Sequence, residues 1–294
     1  MAEPAPAEGP VSMSAPVSVG WRNLSPQAAL AFPPPVLLAE TAEGRASGLS
    51  PALLARIVKV RAAYDLRIRA RRLGDGSTVF ERVPEPGALS EGAYRGLVSP
   101  IRPSALRDPA MPAVQIALNL QLITEAEATL SLMPPFLEPA FRDWPGSLVC
   151  GRFPLRAWPR ALNAVLEWQD PERDWVIRRG EGLAYLAIDL QRPDARLALF
   201  EAALTPALKR HFARIDNVSV FGRNVAPMFA EAAARRPVRL LERKAIAADA
   251  ARTAESPADT HADTHADTHA DNPADTPTDS QPGGARCPAS SSTA

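Results

Sequence analysis

The clearest pattern lies at residues 114–123, where Val114, Ile116, Leu118, Leu120 and Leu122 alternate with polar or small neighbours. A period of two places these five side chains on one face of a β-strand. Residues 64–72 alternate in the same way, with Leu66, Ile68 and Ala70 on one face and Arg67, Arg69 and Arg71 on the other. Gly74-Asp75-Gly76 supplies turn residues and residues 77–83 resume a strand through Val79 and Phe80, so 64–83 predicts a hairpin. Apolar runs at 129–133, 147–153, 161–168, 175–178, 183–190 and 196–202 predict further strands. Turn residues separate them, such as Pro134-Pro135, Pro145-Gly146 and Gln169-Asp170-Pro171. Many short strands at this spacing predict an α+β fold that is mainly β, with antiparallel sandwich or jelly-roll-like strands over about 114–202.

The helical period appears at the two ends of this region. Ser50-Pro51 reads as N-cap and first helical position, and Leu53, Leu54, Ile57, Val58 and Ala62 follow at helical spacing, predicting a helix over 51–62. Thr205-Pro206 predicts a second start, with a helix to about residue 215. A short extended piece at 217–221 is expected next. Asn224 then caps another helix with Met228, Phe229 and Ala232 inward, ending before Pro237, and a frayed third is expected over 238–250. The Pro- and Gly-rich stretch 84–113 reads as a long loop, and Pro33-Pro34-Pro35 as an extended segment. Residues 1–20, rich in Ala, Pro and Ser, are expected to be disordered, residues 21–246 to form one globular domain, and residues 247–294 to be a disordered low-complexity tail.

Charge changes this picture little. The chain is neutral overall, but residues 252–294 hold two basic and seven acidic residues, a net −5 that leaves the remainder at +5. An excess that small does not by itself argue for nucleic acid, so a nucleic-acid binder acting through Arg67, Arg69 and Arg71 ranks last among the expectations, and that arginine stripe reads first as a solvated strand face. Only three of the 33 basic residues are lysines, Lys59, Lys209 and Lys244, and the arginines run along the whole chain, as a GC-rich coding bias would produce. No apolar run approaches the roughly 18 residues of a membrane span, and the first ten residues lack the basic start and apolar stretch of a signal peptide. Two cysteines, Cys150 and Cys287, imply no disulfide framework and fit a reducing, cytoplasmic setting.

Candidate chemistry is sparse. Outside the tail there is one histidine, His211, which reads as a surface residue beside Lys209 and Arg210, and one cysteine, Cys150, which reads as a small buried hydrophobe in a strand. A zinc site or a facial triad cannot be built from that set, so neither metal nor cofactor is expected in the domain. The tail repeats Ala-Asp-Thr-His, placing His261, His265 and His269 four residues apart. That spacing suits weak metal binding on a helix, although Thr and Asp are poor helix formers. No phosphate-binding glycine loop, dinucleotide fingerprint or nucleophile elbow is present. Carboxylates that a hydrolase would pair are available at Glu125, Glu127, Asp143, Glu167, Asp174, Glu181 and Asp189, but no spacing singles out two of them.

The densest feature is 134–185. Trp144, Trp158, Trp168 and Trp175 lie there with interleaved arginines, the composition of an aromatic core with a basic rim or of a ligand-binding face. Within it, 152–160 carries Arg152, Arg156, Trp158 and Arg160 between prolines that keep it out of regular pairing. The leading expectation is a non-catalytic binding or accessory protein whose partner is a protein or a small molecule, with a site at Arg152, Arg156, Trp158 and Arg160. The alternative is an enzyme of jelly-roll-like fold acting on a small polar or anionic substrate, with Glu167 or Glu181 as acid or base.

The segments Leu132-Met133-Pro134-Pro135-Phe136-Leu137, Pro145-Gly146, Gly151-Arg152-Phe153, Trp158-Pro159-Arg160 and Arg179-Gly180-Glu181 together resemble a group of bacterial and phage-encoded β-rich proteins with no established activity. The resemblance spans about residues 110–206. It implies one β-rich domain and carries over no catalytic residue.

Overall fold

The computed structural model describes residues 15–24, 26–106, 108, 110–192, 195–213 and 225–245. The chain divides into two compact units after Ile246. The first unit contains the strands β1 (Val17–Asn23), β2 (Val36–Leu37), β3 (Ile57–Arg61), β4 (Leu66–Arg72), β5 (Thr78–Arg82), β6 (Val98–Pro100) and β7 (Ala113–Thr124). It continues with β8 (Ala128–Met133), β9 (Gly146–Leu148), β10 (Gly151–Pro154), β11 (Leu162–Trp168), β12 (Trp175–Ile177), β13 (Gly182–Leu190) and β14 (Leu197–Glu201). Among the described residues six helices are interspersed: α1 (Pro26–Ala31), α2 (Ala42–Ala46), α3 (Pro51–Leu54), α4 (Glu91–Leu97), α5 (Pro206–Phe212) and α6 (Val225–Ala234). The fold is α+β and mainly β, as the alternating patterns predict.

The described strands form three sheets. One runs β14-β1-β7-β11-β9, with β6 also on β7; a second runs β10-β8-β13-β3-β2; the third is β12-β4-β5. Pairing is antiparallel except between β1 and β14. This is not the pair of four-stranded sheets that defines a jelly roll. Val19 and Leu120 of the first sheet, Val58 and Leu130 of the second, and Ile68 and Trp175 of the third meet in one apolar cluster.

Strand β7 is the spine of the first sheet. Its apolar face is buried as the alternation predicts, and its C-terminal end is buried on both faces, because Ile123 packs with Leu208, Phe212 and Leu240. There Gln121 is fully buried and accepts from Arg22 Nη1 at 2.9 Å. A bulge interrupts the ladder: Leu162 faces Leu120 but Asn163 faces Ala117. Asn119 takes the left-handed conformation at φ +50° that the bulge needs, one that asparagine tolerates better than most residues.

Several expectations need correction. The helix over 51–62 stops after Leu54, and Ile57–Arg61 forms β3 between β13 and β2. Ser50 makes no side-chain cap bond, and the β-branched residues Ile57, Val58 and Val60 suit a strand. The disorder expected over 1–20 does not extend to Val17, which opens β1; Val19 is fully buried. The loop over 84–113 contains α4, capped by Ser90, and β6. The run 147–153 is two strands in different sheets. No helix forms over 238–245; Arg243 instead bridges Ala202 in an extended segment. Helix α5 is capped as predicted, with Leu208 N–H donating to Thr205 Oγ1, and ends at Phe212. The extended piece at 217–221, the Asn224 cap and the tail with its histidines lie outside the described residues.

Strand β3 carries the main buried ionic group. Lys59 pairs with Glu43 of α2 at 2.5 Å and with Glu138, and each of Lys59 and Glu138 has a side chain only 10% exposed. Burial works to lower the ammonium's affinity for its proton, but the hydrogen bonds it donates to Glu138 and Glu43, with their charges, outweigh it and hold the pKa above the ordinary lysine value. The network ties the α2 segment onto the sheet.

Candidate functional site

Strand β10 forms one edge of its sheet and leads through a 3-10 turn, Leu155–Ala157, into Trp158. Leu155 anchors that turn in the core. Proline at 154 and 159 denies the segment further ladder bonds, so its side chains diverge. Arg152 is exposed on β10, 3.5 Å from Asp189. Arg156 pairs with Glu127, and both line a cavity of 310 Å³ with Pro154, Pro159, His211, Phe229 and Arg236. Trp158 and Arg160 line a different cavity, of 150 Å³, beside Cys150 and Phe153.

The Trp158 ring stands between Phe153, at 4.3 Å, and Phe229, at 5.2 Å. Arg160 lies 5.9 Å over the same ring and is 3% exposed, and burial pulls its pKa below the ordinary arginine value. Glu167 is buried at the end of β11, where Gly146 of the neighbouring β9 passes so close that a Cβ there would sit 2.0 Å from the Glu167 carbonyl oxygen. Glu181 accepts from the Arg178 N–H at 2.9 Å in the turn before β13. Neither carboxylate lines either cavity. The structure therefore brings Trp158 and Arg160 together, places Arg156 in a different cavity, and leaves Arg152, Glu167 and Glu181 apart.

The remaining tryptophans of the segment serve packing. Trp168 and Trp175 are fully buried 5.0 Å apart, and Trp144 packs against Trp175 at 5.1 Å. Cys150 is exposed, contrary to its expected burial, because the chain leaves β9 at Leu148 and crosses to another sheet before Gly151 starts β10.

His211, expected at the surface, is 4% exposed. It shares the inward face of α5 with Leu208 and Phe212, a spacing of three and four residues that the sequence displays. Its Nδ1 has no hydrogen-bond partner among the described residues. Burial is the main force pushing its pKa down, to about 4, and the charge of Arg236 adds to it, with the Ala232 carbonyl opposing and Arg235 contributing. The imidazole is thus neutral near pH 7. Arg236 donates through Nη2 to the Thr124 carbonyl at 2.6 Å and through Nη1 to that of Arg156, which fastens the end of α6 over the cavity. Burial, then the neighbouring Arg156 charge, lowers the Arg236 pKa, with Glu125 and Glu127 opposing. Sequence reasoning missed His211, Phe229 and Arg236 as site residues; only the α5 face period carried a signal for any of them.

Among the described residues no three of His, Cys, Asp and Glu gather as a metal site, and no helix is long and apolar enough to cross a membrane. No family model matches the chain, and no curated protein is significantly similar to it.

Proposed function

We propose that this domain is a non-catalytic binding module whose ligand is a small organic anion, seated in the cavity between the Leu155–Ala157 turn and α6. The observation that carries the reading is a 310 Å³ cavity lined by two arginines, Arg156 and Arg236, with one carboxylate, Glu127, paired to Arg156, and with the buried His211 ring at its wall. The Arg156 charge disfavours that of Arg236, with Glu125 and Glu127 only partly offsetting it and burial adding to it, and an anion beside Arg236 relieves that repulsion. Phe229, Pro154 and Pro159 add an apolar wall, so a carboxylate with a short aromatic or branched arm fits best. Glu167 and Glu181 stand away from the cavity, so these positions lend the enzymatic alternative no support. In the same reading the chain is a cytoplasmic accessory protein of the β-rich group that residues 110–206 resemble.

Ligand-observed NMR with short aromatic and branched carboxylates, alongside the matching primary amides, tests this. Carboxylates are expected to bind and amides not to, with Arg156→Gln weakening the best carboxylate at least tenfold. Equal binding of acids and amides, or an unchanged affinity in Arg156→Gln, overturns the proposal.

A further inference from the structure

A second concave feature lies on the outer face of β4. It is an open groove of 630 Å³, a volume in the small-molecule range. Four arginines of β4 line it with Arg173, against two carboxylates among the described residues, Glu172 and Asp174. Alternation puts Arg67, Arg69 and Arg71 on this face, since residues two apart on a strand share a face at about 6–7 Å, and Arg72 joins them from the end of β4.

These guanidinium groups are held in place. Asp174, with a side chain only 8% exposed, accepts from Arg67 Nε at 2.6 Å and from Arg69 Nε and Nη2 at 2.8 and 2.9 Å. Glu81 on β5 holds Arg71 through Nε at 2.8 Å. The side chains of Arg67, Arg69 and Arg71 are nevertheless 37–54% exposed, and each guanidinium has five N–H groups, so donors remain after the carboxylates are served. Fixing these forks before binding removes much of the ordering cost that a flexible basic surface would incur.

The positive excess is also confined. Glu81 pairs with Arg71 and Glu85 with Arg67 and Arg178, so four carboxylates, with Glu172 and Asp174, stand against the five arginines of the groove, while Glu91 pairs with Arg82 and Arg95. A nucleic acid needs a basic track that follows its backbone, whereas one short, open basic groove bounded by carboxylates suits a compact anion. We propose that this groove is a binding site for a compact, multiply charged phosphate: an oligophosphate or a small molecule bearing several phosphoryl groups. It rests on residues separate from those of the α5–α6 cavity.

Calorimetry of the full chain with inorganic tripolyphosphate, at about 50 mM and about 150 mM salt, tests the site. Saturable binding is expected, weaker at the higher salt. Arg69→Ala with Arg71→Ala should weaken it at least tenfold, while Arg156→Gln leaves it unchanged. Should the first pair fail to fold, Arg72→Gln with Arg173→Gln keeps the Asp174 contacts and must show a loss of at least threefold. Absence of saturable binding, or an affinity unchanged from the parent in both pairs of variants, overturns the inference. So does a 20-nucleotide single strand that binds more tightly than tripolyphosphate and is lost in the same variants, since the groove would then be part of a nucleic-acid track.

Discussion

A single imidazole shows how much a residue's surroundings decide. His211 sits in α5 with two basic neighbours in sequence, yet it is buried beside Arg235 and Arg236, and its pKa falls from the ordinary 6.5 to about 4. As pH drops below 6.5, the unfolded chain takes up a proton that the folded chain refuses until about pH 4. Stability is therefore fully present above that ordinary value, declines through the window between the two and levels off below it. At pH 5.5 the expected loss is about 1 kcal/mol. Urea unfolding at pH 7.0 and 5.5 checks this: His211→Gln should remove most of the difference, and an equal loss in both proteins would assign it to other groups.

At the scale of elements, β3 is the instructive case. Its register between β13 and β2 buries four of its five residues, including Lys59, which meets two carboxylates brought from α2 and from the segment after β8. Removing one member of a buried charge set strands the others, whereas replacing the whole set with apolar groups is often close to neutral. Lys59→Met is expected to cost about 3 kcal/mol. Adding Glu43→Leu and Glu138→Leu to the same protein should recover most of it, as read from urea midpoints. A single variant as stable as the parent would mean that the network contributes nothing to holding α2 on the sheet. The apolar spacing over 51–62 fits a helix as well as a strand when taken alone. A helix over that whole stretch would need an exposed polar face, and the strands that flank β3 leave it none.

For the whole molecule, the three sheets share one apolar cluster, and Trp168 and Trp175 lie fully inside it. Unfolding in urea followed by tryptophan fluorescence and by far-ultraviolet circular dichroism should give coincident midpoints. Separate midpoints would mean that the third sheet, β12-β4-β5, comes apart independently of the other two. The hairpin, the long strand β7, most strands through β14 and the capped start of α5 were legible in the sequence, because a strand's two-residue period and a cap's residue type are local properties. Of the candidate site, Arg156, Trp158 and Arg160 were legible as a proline-bounded cluster, although the fold divides them between two cavities. What local pattern cannot encode is which strands become neighbours and which faces are covered twice. That depends on contacts between distant segments: Arg236 reaches the Arg156 carbonyl 80 residues away and the Thr124 carbonyl 112 residues away. By itself the sequence determined a mainly β domain with a basic, aromatic segment near its middle. The tertiary structure alone decided that His211 is buried, that Cys150 is exposed, that residues 57–61 are a strand and that Arg156 faces Arg236 across a cavity. In each instance burial by remote parts of the chain outweighed the preference of the local residues.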